Sequence, residues 1–584
     1  MKSSIWRGLV LAVGLLGLTG CAAIEFSKTP VVPELSVRPT DDKTEHASPP
    51  PLPETLETKE FEPTPEPAEG KPETLNLTVE AAIAMALENN QALQVEQINP
   101  ALARTTVTEQ RAVFDPTLAG AFTRTRNRNE RELAIDEPLR VTDENGELQT
   151  IGTVRRRVDT STTSYFSTGV AGLDQYLPTG TSIGVSISPS SDSLNLGSSN
   201  RSLVGAGNDT TGDANLLELS VTQRLLRGGG LGVNLASLRQ ARLAYLSSEY
   251  NLRGFAESLV AQVENTYWDY YLSKRQIVIF ENSLDLALQQ ENEVNTRIEV
   301  GKLAESERAA AQAEVAQRRS LLINARSNMA QARLELVRLL NPSPEALRAV
   351  DLELASEPLM PEVNLSEVED SVQLARRMRP ELNQARLLLQ QDELELVRTR
   401  NGLLPQLDIF LTLSQELSST GYGSAFEGTS RVLEDDNVQT SAGIQFSYPI
   451  GNRAARAQHQ RALFGREQDF ESLKNLEQLV EQDVRGAYIE LSRAREQVSA
   501  TEATRKLQEL TAQTEVEKFR VGKSTSLLVS QAQRDFLEAQ INEVDSHTAF
   551  LQAIVNLYYS DGSLLLRRGV MCPGADPVKF ERMS

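Results

Sequence analysis

Val300-Gly301-Lys302-Leu303 and Val521-Gly522-Lys523-Ser524 are one phrase written twice, 221 residues apart. Tyr267 and Tyr488 keep that spacing. A second set runs at another fixed offset. Asn90, Leu93 and Phe114-Asp115-Pro116-Thr117-Leu118 return 289 residues later as Arg379, Leu382 and Leu404-Pro405-Gln406-Leu407. Two long segments at fixed offsets mean one unit duplicated. The offsets differ by 68 residues, so the first copy holds an insertion of that size between Pro116 and Tyr267.

Around both phrases the chain reads as helix. No proline stands between Asn234 and Asn341, or between Asn452 and Cys572. Both zones are rich in Ala, Leu, Glu, Gln and Arg, the strong helix formers. Leu252, Phe255, Leu259, Val263 and Tyr267 recur at helical spacing, as do Leu473, Leu476, Val480, Val484 and Tyr488. From Gly229 to Gly301, and from Gly451 to Gly522, each unbroken limb spans about 105 Å at 1.5 Å per residue. Each ends at Val-Gly-Lys, where Gly lets the chain reverse. The return limbs are shorter and come in halves. The expected stacking puts Leu303 to Leu340 on Ser366 to Arg400, and Thr78 to Ala112 on Ser524 to Leu557. Four antiparallel limbs then make a rod-shaped bundle or one sector of a helical cylinder.

Between the helices lie two β zones. Leu407, Ile409, Leu411 and Leu413, then Ile444, Phe446 and Tyr448, alternate with polar residues. Such alternation over about nine residues is the transmembrane β-strand pattern. The matching first-copy strands are Thr117 to Thr125 and Asn215 to Gln223. The insertion adds a hairpin, Ser164 to Leu173 and Ser182 to Ser188, around Pro178-Thr179-Gly180.

The ends carry different information. Lys2 and Arg7 precede a short apolar run, Leu9 to Leu18, too short to span a bilayer as a helix. Leu18-Thr19-Gly20-Cys21 reads as a bacterial lipobox, which makes Cys21 the lipidated first residue of the mature chain. An ordinary cleaved signal with an incidental Cys is the alternative. Ala22 follows, as in lipoproteins routed to the outer membrane. Residues 28 to 74 hold 11 of the 25 prolines, with 11 acidic and 5 basic residues. That composition cannot bury a core and reads as a disordered tether.

The formal charge of −21 argues against nucleic-acid binding. Cys572, the other cysteine, has no intramolecular disulfide partner once Cys21 is lipidated, and its role is open. His46, His459 and His547 show no metal-ligand spacing. No nucleophile elbow or dinucleotide fingerprint occurs, so neither catalytic residues nor a cofactor are expected. Arg227-Gly228-Gly229-Gly230 lacks the Lys-Ser/Thr of a phosphate loop and reads as a turn. The aromatic cluster Tyr267-Trp268-Asp269-Tyr270-Tyr271 reads as packing between helices.

Together these features resemble the TolC-like outer-membrane efflux protein family. The carrying residues are Leu77-Thr78-Val79-Glu80-Ala81-Ala82 and Leu365-Ser366-Glu367, Pro116 and Pro405, Tyr267 and Tyr488, Gly301 and Gly522. The match covers roughly residues 75 to 565. The resemblance implies an α+β membrane protein: a homotrimer whose periplasmic α-barrel continues into an outer-membrane β-barrel. It implies a passive conduit in a tripartite efflux or type I secretion system, not an enzyme. It also implies an inner-membrane transporter and a periplasmic adaptor, or membrane fusion protein, docking on Val300, Gly301, Lys302, Leu303, Val521, Gly522, Lys523 and Ser524. The domain plan is then a signal peptide, 1–20; a linker, 21–74; a first repeat, 75–345, with β segment 117–224; a second repeat, 346–565, with β segment 405–450; and a tail, 566–584. Family members carry acidic residues six and nine positions after the second tip Gly, as a constricting ring. Here those positions are Leu528 and Gln531, and Glu305 and Glu307 are the candidate substitutes.

Three questions stay open in the sequence. The extra hairpin either widens the barrel to six strands per protomer or forms an external cap. Arg124, Arg126, Arg128 and Arg155-Arg156-Arg157 flank a polar segment with Asp136, Glu137, Asp143 and Glu144. It is either a solvated loop or a contact for lipopolysaccharide phosphates. A periplasmic coiled-coil adaptor or structural lipoprotein, and a tethered hydrolase, are the rival classes. The exported substrate and the transporter class leave no mark.

Overall fold

The computed structural model describes residues 75–142, 146–198, 210–341, 352–356, 367–419, 438–574 and 576–578. The signal peptide, Cys21, the linker, the 345/346 boundary and Leu365-Ser366 lie outside the described residues. Strand β1 is Leu75–Leu77, followed by helices α1, Val79–Asn89, and α2, Gln91–Ala112. Strands β2 to β5 are Thr117–Thr142, Leu148–Tyr176, Thr181–Ser198 and Thr210–Arg224. Helices α3, Leu231–Asn234, α4, Ala236–Glu299, and α5, Ser306–Leu340, complete the first copy. The second copy runs β6, Leu352–Leu354; α6, Val368–Met378; α7, Pro380–Gly402; β7, Gln406–Ser419; β8, Val438–Ser447; α8, Arg453–Arg520; α9, Ser526–Ser560; and α10, Leu564–Arg567. Among the described residues, no helix is long and apolar enough to cross a membrane.

The helices expected as single pieces from Thr78 to Ala112 and from Ser366 to Arg400 are each broken, at positions that the repeat register pairs. Asn90, at φ −67° and ψ 115°, parts α1 from α2, and its side chain accepts from Leu93 N to cap the second helix. Arg379, its equivalent, parts α6 from α7, with Pro380 at the first helical position. The long limbs are unbroken as expected: α4 has 64 residues and α8 has 68.

The stacking of the split limbs departs from the expectation. Helix α2 sits on the end of α5, and α7 on the end of α9. Asn90 Nδ2 donates to Leu339 O at 3.1 Å, and Asn341 Nδ2 donates to Asn89 O at 3.0 Å. Arg379 Nε donates to Ser560 O at 2.8 Å. Each limb is therefore completed by its own copy. The cause lies in the mid-limb connection. Strand β6 pairs in parallel with β1, and Tyr267 pins both segments. Its hydroxyl donates to Leu77 O at 2.9 Å and accepts from Ser356 N at 3.2 Å. The chain thus crosses α4 as the second copy starts, rather than continuing straight from α5. Helix α4 packs on α2 and α5 and on α7 and α9; α8 packs on α6, α7 and α9.

Around this crossing lies the largest core. Tyr267, Tyr270 and Trp268 are buried in it with Leu77, Leu336, Leu340 and Val555, as packing between helices requires. The tail docks on the same belt. Arg253 donates to Gly562 O and Gly574 O, and Cys572 packs half-buried against the core. Burial pushes the Cys572 thiol up.

Arg253 also pairs with Glu257 at 3.1 Å, both side chains 2% exposed. Burial outweighs the guanidinium and lifts the Glu257 carboxyl to about 7. A carboxyl with a raised folded pKa keeps its proton where the unfolded chain loses it. Stability is therefore highest below the unfolded value and falls until pH passes about 7, by about 3 kcal/mol in all. Glu257→Gln is expected to flatten the unfolding midpoint between pH 5 and 7. An unchanged slope in that variant would remove Glu257 from the account.

The strands form a six-stranded antiparallel sheet in the order β2-β3-β4-β5-β7-β8. The extra hairpin lies within this sheet, in line with the other strands. Two sequence expectations need correcting. Strands β2 and β3 are 26 and 29 residues long, far beyond the apolar alternation. Pairing of β3 with β4 stops at Thr160, while β2 and β3 continue as a two-stranded ribbon to Thr142 and Leu148. Most of the expected polar loop is that ribbon; residues 143–145, with Asp143 and Glu144, lie outside the described residues. Three of its arginines are paired across the strands: Arg155 with Asp136, Arg156 with Glu137 and Arg157 with Glu132.

Candidate functional site at the helix reversals

The two Val-Gly phrases close the long limbs in the same way. Gly301 has φ 71° and Gly522 has φ 76°. Gly301 N donates to Ile298 O at 2.9 Å, and Lys302 N to Arg297 O at 2.8 Å. Gly522 N donates to Phe519 O at 3.0 Å, and Lys523 N to Lys518 O at 2.7 Å. This pair of bonds is the Schellman closure, which needs a left-handed residue that Gly supplies without strain. A Cβ on either Gly would meet nothing within 4 Å. Both reversals thus present bare backbone to the outside.

The fold brings the two reversals together. Val294, Phe519 and Val529 form a buried cluster, with Ile298, Leu303 and Val516 against it. Arg297 stacks on the Phe519 ring, 4.3 Å from its centre, donates to Phe519 O at 3.0 Å and pairs with Glu293 at 2.6 Å. It caps the end of α8 from the end of α4. The motif reading missed Arg297. The available signal was its place in the last helical turn, 221 residues before Lys518.

Of the expected site residues, Val300, Gly301, Lys302, Val521, Gly522 and Lys523 are exposed, and Leu303 and Ser524 are partly buried. Leu303 belongs to the cluster, while Ser524 Oγ donates to Glu515 at 2.8 Å. The four constriction candidates separate. Leu528 and Gln531 are exposed on α9. Glu305 is exposed and pairs with Arg308 at 3.2 Å. Glu307 is partly buried and accepts from the Ser526 hydroxyl, so it ties α5 to α9.

One turn and more above, Glu314 ties the same helices. Its Oε1 lies 2.5 Å from Arg318, off the line of a hydrogen bond, and its Oε2 accepts from Arg534 at 2.8 Å. Arg318 is 3% exposed. Sequence reading missed this triad because Glu314 and Arg534 are 220 positions apart. Among the described residues, no group of three or more His, Cys, Asp or Glu could hold a metal.

The geometry is therefore a pair of coupled, backbone-exposing hairpin ends opposite an amphipathic sheet. The sequence model of the family described as outer membrane efflux protein matches residues 189–342 and 371–563, more than half of the chain. No curated protein matches. Among solved structures, a membrane protein from Pseudomonas aeruginosa is similar at 18% identity and TM-score 0.57, over 83% of this chain and 90% of that one. The CmeC outer membrane channel of Campylobacter jejuni matches at 14% identity and TM-score 0.58, over 83% and 86%. The MtrE outer membrane channel of Neisseria gonorrhoeae matches at 14% and 0.55, over 83% and 89%.

Proposed function

Because the chain belongs to the outer membrane efflux protein family, we propose that it is the outer-membrane conduit of a tripartite export system. Three copies close a β-barrel in the membrane and a helical tunnel beneath it. The chain catalyses nothing; it gives solutes a path. The observation that carries this reading is that both layers have open edges. Among the described residues, strands β2 and β8 are each paired on one side only. On α2, Val95, Ile98 and Leu102 are exposed along one face, as are Phe464 and Ile489 on α8. Open sheet edges inside a bilayer are too costly to leave unpaired. Neighbouring copies would pair them.

Widths support six strands per copy. Six strands about 4.8 Å apart, tilted about 40°, cover about 37 Å of circumference. Four helical limbs about 10 Å apart cover about 40 Å. The two layers then join without a step, which an external hairpin would not achieve. Four limbs alone enclose almost no lumen, whereas twelve enclose roughly 30 Å by the same spacing. Closed cyclic symmetry is the default for such an edge.

The reversals would lie farthest from the membrane, since each limb is about 100 Å long. There they would dock a periplasmic adaptor recruited with an inner-membrane transporter. Lipid on Cys21 would add an anchor to outer-membrane lipid through the tether.

The reading predicts a trimer extracted only by detergent from the outer-membrane fraction, conducting ions in planar bilayers. Native mass spectrometry and conductance on one preparation check it. A conducting monomer would contradict the trimer. A protein released without detergent from a strain carrying Cys21→Ala would contradict the barrel.

A further inference from the structure

We infer that Arg124 and Arg126 form a binding site for the phosphate groups of a phosphorylated glycolipid in the outer leaflet. This rests on the proposed reading that the sheet spans the outer membrane. The sheet register assigns its two faces. One carries Leu118 and Phe122 on β2, Leu173 on β3, Val185 and Ile187 on β4, Leu217, Leu219 and Val221 on β5, and Ile409, Leu411 and Leu413 on β7. The other carries Thr123, Asp174, Ser186, Glu218, Ser220, Asp408 and Thr412. The apolar face is the one that lipid would cover.

Along the apolar face, away from the helices, composition switches within one row. Phe122 is the last large apolar side chain of β2 on this face, and the next positions are Arg124, Arg126 and Arg128. Their direct partners on β3 are Ser167, Tyr165 and Thr163, and the adjoining positions on β4 are Ser191 and Ser193. A membrane strand takes about 9–11 residues to cross. Counted from Thr117, the crossing ends at these arginines. They stand at the outer boundary, on the outward face.

Their partners decide the rest. Arg128 pairs with Glu130 at 2.7 Å, and Arg155, Arg156 and Arg157 pair with ribbon carboxylates. Arg124 and Arg126 make no ion pair among the described residues. Both lie over the Tyr165 ring, at 5.5 and 5.6 Å from its centre. The nearest acidic group in the Arg124 row is Asp213, three strands away, about 14 Å. Glu130 lies about 13 Å further along β2 and is occupied by Arg128. Two exposed guanidinium groups lie against one aromatic ring and offer their N–H donors at the outward face. Phosphate oxygens take such donors in pairs. Acyl chains would lie on Leu118, Phe122 and Leu173 directly below.

The test uses the purified full-length protein in phosphatidylethanolamine nanodiscs containing bis-phosphorylated lipid A, with retained lipid counted by native mass spectrometry. Wild type should retain lipid A, and Arg124→Gln/Arg126→Gln should retain roughly tenfold less or below, the loss of charge-assisted bonds to phosphate. Arg155→Gln, which removes a paired ribbon arginine, should retain it as wild type does. Lipid A stripped of phosphate should not be retained. Equal retention by the double variant overturns the site, and so does equal retention of the stripped lipid. Equal retention of phosphatidylglycerol in competition overturns the choice of glycolipid. Oligomeric state and conductance, measured on the same samples, separate the two claims. A conducting trimer that ignores lipid A fails this inference alone, whereas a protein that neither trimerises nor conducts fails the reading beneath it.

Discussion

Gly301→Val and Gly522→Val are each expected to cut export below roughly a tenth of wild type, a docking loss beyond 1.4 kcal/mol, while outer-membrane level and oligomer stay near normal. Both glycines adopt a left-handed conformation, at φ 71° and 76°. Forcing an L side chain there costs about 1–2 kcal/mol per site. The added atoms would touch nothing of this chain within 4 Å, so no packing loss adds to that cost. A fold with two limbs of 64 and 68 residues and separate buried clusters along them absorbs such a local penalty. A partner backbone seated on the bare turn would not tolerate a branched side chain. Cross-linking from Lys302 and Lys523 in exporting cells identifies the partner. If abundance falls along with export, each Gly serves only to close its helix. If neither lysine captures an adaptor, docking at the reversals is wrong.

Glu314→Ala is expected to cost about 3 kcal/mol or more in stability, because it strands a buried guanidinium. Arg318 is 3% exposed, with Glu314 beside it at 2.5 Å, and Arg534 loses its carboxylate in the same step. Glu335→Ala is the control. Its partner Arg338 lies on the surface, and such exposed pairs contribute about 1 kcal/mol at most. Denaturant midpoints of the two variants should differ accordingly. Glu314→Ala/Arg318→Leu should recover part of the loss, since no charge is then left buried. Equal midpoints for Glu314→Ala and Glu335→Ala would show that water reaches Arg318.

The repeat offsets carried more of this fold than any single motif. They located the paired reversals at Gly301 and Gly522, but not the breaks that Asn90 and Arg379 make in the helices expected from Thr78 to Ala112 and from Ser366 to Arg400. The proline-free zones set the two long helices. Alternation and the repeat match together located all six sheet strands but not the lengths of β2, β3 and β4. From Arg126 to Glu132 both faces of β2 are polar, so the period-two contrast lapses there; it resumes at Leu133, Ile135, Leu139 and Val141, in the segment expected to be a loop.

Which halves stack on which was decided elsewhere. Chain order favoured α5 under α7, and the sequence offers no evidence against it. Pairing of β1 with β6 under the Tyr267 hydroxyl carries the connection across α4, and the hooks of Asn90, Asn341 and Arg379 then join α2 to α5 and α7 to α9. The Arg297 cap on Phe519 and the Glu314 triad are of the same kind. Each needs partners more than 200 positions apart, and local sequence carries no record of distance in space. The sequence by itself determined which segments are helix, which are strand and where each reverses, since those depend on propensity and period along the chain. Only the tertiary structure decided neighbours, free charges and open edges, because these depend on what packs beside a residue rather than on what precedes it.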